Sequence, residues 1–156
     1  MSDTGPESPV PRPASGRRGA GLRPAGAAAG QERVSRRQAR RQALFLLYQW
    51  DLTGLPLESL FEGSPDEFAS SLARDVAADA PALDERISAA SADWPADRLG
   101  TLERNILRIG VYELEEGTVP AEVAINEAVV LAKRYATEDA ARLVNGILGR
   151  IRREAA

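Results

Sequence analysis

From Val34 onward, apolar positions recur at three- and four-residue spacing, with no convincing strand-like alternation. The pattern predicts an all-α protein. A first helix over residues 35–52 sets Ala43, Leu47 and Trp50 on one stripe with Leu44 and Tyr48 beside it, and Ser35-x-x-Gln38 has the form of a capping box at its start. A short turn around residues 57–61 follows Pro56. Ser64-Pro65-Asp66-Glu67 joins an N-cap residue, a proline at the first helical position and an acidic first turn, opening a helix with Phe68, Leu72 and Val76. After Pro81 a separate, weaker helix is expected to carry Leu83 and Ile87 as far as Trp94-Pro95.

The most strongly periodic segment is 96–116. Leu99, Leu102, Ile106 and Ile109 form its stripe, Leu107, Val111 and Leu114 widen it, and Gly117 closes it. Pro120 opens a helix bearing Ile125, Ala128, Val129 and Ala132, and Thr137 caps a last one with Val144, Ile147, Leu148 and Ile151. Five to seven helices with short connections make a bundle. Asn126, Asn145 and Gly146 are poor helix formers, assigned to packing: Gly146 to a close helix approach, the asparagines to buried hydrogen bonds.

Residues 1–32 break the pattern. Pro, Gly, Ala, Ser and Arg dominate, and too few large apolar side chains are present to offset the entropy of ordering. A disordered tail is expected there, followed by one helical domain over 33–156.

Composition narrows the chemistry. The 156 residues include no cysteine and no histidine, which removes thiolate nucleophiles, zinc–thiolate sites and the commonest general base and metal ligand. A catalytic reading would rest on carboxylates, serines or the single lysine, Lys133, so no catalytic residue, metal or cofactor is assigned and the protein is expected not to be an enzyme. No apolar run approaches the ~20 residues that span a bilayer, and no secretory h-region is present, so a cytoplasmic location is expected.

Net charge is −3, but its distribution is uneven. Residues 1–41 hold nine arginines against three acids, a net +6, and the remainder holds 11 basic against 20 acidic residues, a net −9. Arg33, Arg36, Arg37, Arg40 and Arg41 fall within one broad arc of a helical wheel. Arg36 and Arg37 would occupy the first turn after Ser35, where the helix dipole disfavours cations, and no acid at helical spacing compensates them. Arginine pairs phosphate bidentately and stacks on bases, so the arc points to a polyanion. Charge does not decide between DNA and RNA. A solvated helix face, or a module whose arginines serve a protein partner or unspecific DNA, stays open on these residues alone.

Three blocks add a resemblance: Arg36-Arg37-Gln38-Ala39-Arg40 continuing to Leu47-Tyr48-Gln49-Trp50; Leu102-Glu103-Arg104-Asn105-Ile106-Leu107-Arg108-Ile109-Gly110-Val111-Tyr112-Glu113-Leu114; and Val119-Pro120-Ala121-Glu122-Val123-Ala124-Ile125-Asn126-Glu127-Ala128-Val129, running on to Thr137-Glu138-Asp139 and Val144-Asn145-Gly146-Ile147-Leu148. Together they resemble the NusB family. The resemblance implies two small packed helical bundles of about seven helices. It also implies a transcription antitermination factor that binds boxA-type RNA with NusE, a small-subunit ribosomal protein, and joins an RNA polymerase antitermination complex on ribosomal RNA operons. By matching position, Arg36, Arg37 and Arg40 would contact RNA, with Arg41 an added charge beside them. Tyr48 and Glu103 would bind NusE, and Asp139 would tune RNA affinity. The same fold precedes the catalytic domain of some RNA cytosine methyltransferases, but those need a cysteine nucleophile and a cofactor domain that this chain lacks.

Overall fold

A computed structural model of the chain describes residues 25–91 and 98–155, with side chains from Arg36 onward. The chain divides into two units, Met1–Ser35 and Arg36–Ala156. Of the first, only the helical path from Ala25 is described. Most of the expected 1–32 tail, and the expected break at Trp94-Pro95, lie outside the described residues.

Every regular element described is helical: α1 (Ala25–Thr53), a 3-10 turn (Leu57–Leu60), α2 (Glu67–Ala90), α3 (Thr101–Glu116), α4 (Ala121–Tyr135) and α5 (Glu138–Ala155). The fold class is the one the periodicity predicts, with five α-helices among the described residues where about seven were expected. In the Arg36–Ala156 unit, α3 packs against α2, α4 and α5, and α4 lies along α5. Leu44 and Leu47 of α1 join Leu83, Ile87, Ile106, Leu107 and Leu148 in one buried cluster fed by all five α-helices.

Three local expectations are corrected. First, α1 begins at Ala25, so Ser35 is interior and its capping box does not start the helix. The alanine run 27–29 is strongly helix-favouring and carries the helix further back. Arg36 and Arg37 therefore lie well inside α1, and the dipole argument built on a first turn at Ser35 does not apply to them. Second, the N-cap of α2 is Asp66 rather than Ser64: its carboxylate accepts the Ala69 N–H at 3.0 Å, a charge-assisted cap that a serine hydroxyl does not match. Third, Pro81 does not split α2. An interior proline costs about 3 kcal/mol, but burying Leu83 and Ile87 yields roughly 1.5–3 kcal/mol each, and both continue the buried face of Leu72, Val76 and Ala80.

The C-terminal half follows its pattern, except that α3 begins at Thr101 rather than near residue 96 and leaves Leu99 before the helix. Gly117 ends α3 in the left-handed region at φ 69°. Pro120 precedes α4. The Thr137 hydroxyl accepts the Ala140 N–H at 2.9 Å at the start of α5.

Candidate nucleic-acid interface

The arginines of α1 do not behave as a set. From Arg36 on, the helix turns one stripe inward (Ala39, Ala43, Leu44, Leu47) and exposes Arg37, Gln38, Gln42, Phe45 and Gln49. Arg40 falls on the inward side. Its side chain is 5% exposed; its Nε donates to both Glu113 carboxylate oxygens at 3.0 Å, and Nη2 lies 2.9 Å from Glu113 Oε2. Glu127 adds a second carboxylate 3.8 Å from Nη1. Arg40, expected at the RNA, is placed with its guanidinium in a buried ion pair, and leaving it would strand Glu113 without compensation. Arg40 positions α1 against α3 and α4.

Arg37 is different. Its side chain is 53% exposed, with Nε 3.1 Å and Nη2 2.9 Å from the two oxygens of Glu127. The hydrogen bond and charge of Glu127 raise its pKa further, so it is a permanent cation with one face toward Glu127 and the rest toward solvent. Arg36 is half-buried, with its guanidinium carbon 4.9 Å from the centre of the Phe68 ring, a cation–π contact that orients it across the start of α2. Arg41 is half-buried, and no hydrogen bond or ion pair engages it among the described residues.

The wheel of residues 35–52 places no acid at helical spacing from Arg37 and Arg40, although α1, beginning at Ala25, also contains Glu32, four residues before Arg36. The compensation comes from Glu113 of α3 and Glu127 of α4, 73 and 90 residues away along the chain, which no local spacing reveals.

Two contacts fix the direction of α4. Arg37 meets Glu127, and eight residues later Phe45 meets Tyr135, eight residues beyond Glu127. Equal steps along both helices mean that α1 and α4 run parallel side by side here. Arg37, Arg41 and Phe45 thus form an i, i+4, i+8 stripe beside α4.

A second polar cluster anchors the other end of α1. Asp51 Oδ2 accepts from Arg104 Nε (2.9 Å), Asn105 Nδ2 (3.0 Å) and Arg108 Nη1 (3.1 Å). Arg108 also grips Asp84 with two bonds of 2.7 Å, tying α1, α2 and α3 together. Burial opposes its charge, but the hydrogen bonds and charges of Asp84 and Asp51 outweigh this and raise its pKa. Asn105 is the buried asparagine of this fold; Asn126 and Asn145 are exposed, which corrects their assignment to buried hydrogen bonds. Gly146 has nothing within 4 Å of a built Cβ, and the close approach occurs instead at Gly110, where a Cβ would meet Leu148 Cδ1 at 2.6 Å.

Tyr48 is half-buried near the C-terminal end of α1, followed by the exposed Leu52 and Leu55. Glu103 lies in the first turn of α3, its carboxylate folded over Gly100 in space that only a glycine leaves. The Asp51 cluster ties the two helix ends that carry them, although no hydrogen bond joins Tyr48 to Glu103 among the described residues. Asp139 is exposed in the first turn of α5, paired with Arg142. It sits four residues after Tyr135, so its charge follows closely on the end of α4 that Phe45 touches. Phe45 and Tyr135 were not singled out from sequence. The available signal was that Phe45 stands four and eight residues after Arg41 and Arg37, on their side of the helix and off the core stripe.

Among the described residues no acidic cluster suited to a metal ion is present, and no helix is long and apolar enough to cross a membrane.

Comparison with known proteins agrees with this architecture. The NusB family model matches residues 37–153. The transcription antitermination protein NusB of Rubrobacter xylanophilus is 42% identical over 122 residues, covering 74% of this chain and 88% of that protein. NusB of Bdellovibrio bacteriovorus is 39% identical over 128 residues, covering 76% and 95%. Among solved structures, T. maritima NusB superposes with a TM-score of 0.67 at 34% identity, covering 76% of this chain and 91% of that one. A chain in the crystal structure of antitermination factors NusB and NusE in complex with dsRNA gives 0.66 at 32% identity, covering 76% and 96%. The matched segment takes in the arginine stripe, both carboxylates that brace it and all the core helices: the chain belongs to the NusB family.

Proposed function

We propose that this protein is a transcription antitermination factor that binds boxA-type RNA together with NusE and supports transcription of ribosomal RNA operons as part of an RNA polymerase antitermination complex. The observation that carries the reading is the 32% identity, over 76% of this chain, to a protein crystallised with NusE and double-stranded RNA. The geometry supports it. Arg37 and Arg41 present cations on a rigid helix, while Arg40 and Glu113 hold that helix in place. Phosphate contacts of this kind set register, and base edges are left to neighbouring groups such as Gln38 and Gln42. Tyr48, Leu52 and Leu55 supply an apolar surface at the far end of α1, suited to a protein partner rather than to RNA. Binding on both surfaces of one helix lets each partner raise the affinity for the other. The role is non-enzymatic and exercised in the cytoplasm, in keeping with a chain without cysteine or histidine.

A competition assay at physiological salt tests the reading. With NusE present, boxA RNA should displace a labelled boxA probe well below the concentration at which a scrambled RNA does. Equal competition, with and without NusE, would defeat it.

A further inference from the structure

Phe45 is an anomaly on its helix. It is 40% exposed on a face otherwise made of arginine and glutamine, and it lies off the core stripe. Isolated exposed phenylalanines are common and need no explanation. This one is not isolated. Its ring centre is 5.0 Å from that of Tyr135 with the planes at 77°, an edge-to-face pair that fixes the ring while covering only part of it. Two cations stand near the pair: Arg41 lies one turn earlier on the same stripe, and the Arg134 guanidinium carbon is 5.7 Å from the Tyr135 ring centre.

Helix stability accounts for part of this, since Lys133 and Arg134 complement the negative end of the α4 dipole. It does not account for an exposed aromatic ring one turn after Arg41 and in contact with Tyr135. A partly free ring beside cations that carry no ion pair among the described residues is an arrangement that takes an unpaired nucleobase: the base stacks on the ring, and the cations receive the adjoining phosphates. The stripe from Arg37 to Phe45 is about 12 Å long at 1.5 Å per residue, so one strand can lie on the cations and the ring together.

We propose that Phe45, held by Tyr135, is a stacking seat for one unpaired base of the bound RNA, with Arg41 and Arg134 on the adjoining phosphates. The proposal rests on the RNA-binding function above and adds to it a preference for unpaired over fully duplex RNA at this end of the stripe.

The test measures affinity of the full-length protein for a single-stranded boxA-type oligonucleotide across a salt series. The variants are Phe45→Leu, Phe45→Trp and Arg41→Gln. Phe45→Leu keeps an apolar side chain without a ring and should weaken binding by roughly 5- to 100-fold, the size of one base–aromatic stack, with the salt slope unchanged. Arg41→Gln should flatten the slope by about 0.7 log unit, the value for one single-strand phosphate. Phe45→Trp should retain affinity, and the fluorescence it adds to that of Trp50 and Trp94 should be quenched by the RNA. Wild-type affinity in Phe45→Leu with no quenching in Phe45→Trp overturns the seat while leaving RNA binding intact. A Phe45→Leu variant that loses NusE capture but keeps RNA affinity assigns the ring to the protein partner and overturns it equally. If the wild-type chain does not discriminate boxA from scrambled RNA, the broader function fails, and the seat with it.

Discussion

Two glycines inside helices, Gly110 of α3 and Gly146 of α5, stand in opposite surroundings, and alanine separates them. At Gly146 a Cβ meets nothing within 4 Å, so Gly146→Ala should only remove the helix penalty of glycine and stabilise the fold by about 0.5–1 kcal/mol in urea unfolding. A loss of stability would mean that the site is not open. At Gly110 the same Cβ meets the buried Leu148 at 2.6 Å and 3.1 Å. Overpacking costs about 1–3 kcal/mol and the helix gain returns up to about 1, so Gly110→Ala should destabilise by up to about 2 kcal/mol. Arg40 is the other residue whose role turns on surroundings. Arg40→Met should cost about 3–5 kcal/mol by stranding Glu113, and adding Glu113→Leu should recover most of it. An RNA-contacting arginine would lose affinity without losing stability, and unfolding and binding measurements on the same variant tell these apart.

At the scale of elements, the pairing of α1 with α4 governs how much positive charge reaches the surface. Glu127 holds Arg37 and also lies near Arg40, so one carboxylate serves two cations. In the proposed RNA complex a phosphate competes with it for Arg37. Glu127→Gln keeps a hydrogen-bonding group of similar shape and removes the competing charge, so it should tighten RNA binding at low salt and steepen the salt dependence by up to one further phosphate contact, about 0.7 log unit. Unchanged affinity and slope would show that Arg37 stays on Glu127 in the complex. This pairing also marks what was legible in the sequence. The stripes of α3, α4 and α5 and the caps at Gly117 and Thr137 follow from local spacing and chemistry, and the structure has them. At Pro81 the local rule that proline breaks a helix is outweighed by burial of Leu83 and Ile87. The division of the arginine arc into Arg40 inward and Arg37 outward depends on Glu113 and Glu127, acids on helices far along the chain that no wheel of α1 contains.

Over the whole molecule, a basic N-terminal segment is joined to an acidic body. The blocks that carry the family resemblance most strongly, from Leu102 to Leu148, build the core, whereas the proposed RNA contacts lie mainly on α1. Sequence therefore identifies the family from the scaffold and the site only in outline. The same separation predicts what the N-terminal segment contributes. Residues 1–24 carry four arginines and two acids, a net +2, without the aromatic and glutamine side chains that accompany charge on α1. Charge alone adds affinity for any RNA and is screened over about 8 Å at physiological salt. Removing residues 1–24 should therefore lower affinity for boxA and scrambled RNA by the same factor at low salt. It should leave their ratio unchanged, because the proposed discrimination rests on groups held rigidly by the Arg40–Glu113 pair and the Phe45–Tyr135 contact. Filter binding of both RNAs to the full-length and shortened proteins, at low and physiological salt, measures that ratio directly. A ratio that collapses on truncation would move base recognition into the N-terminal segment and away from α1.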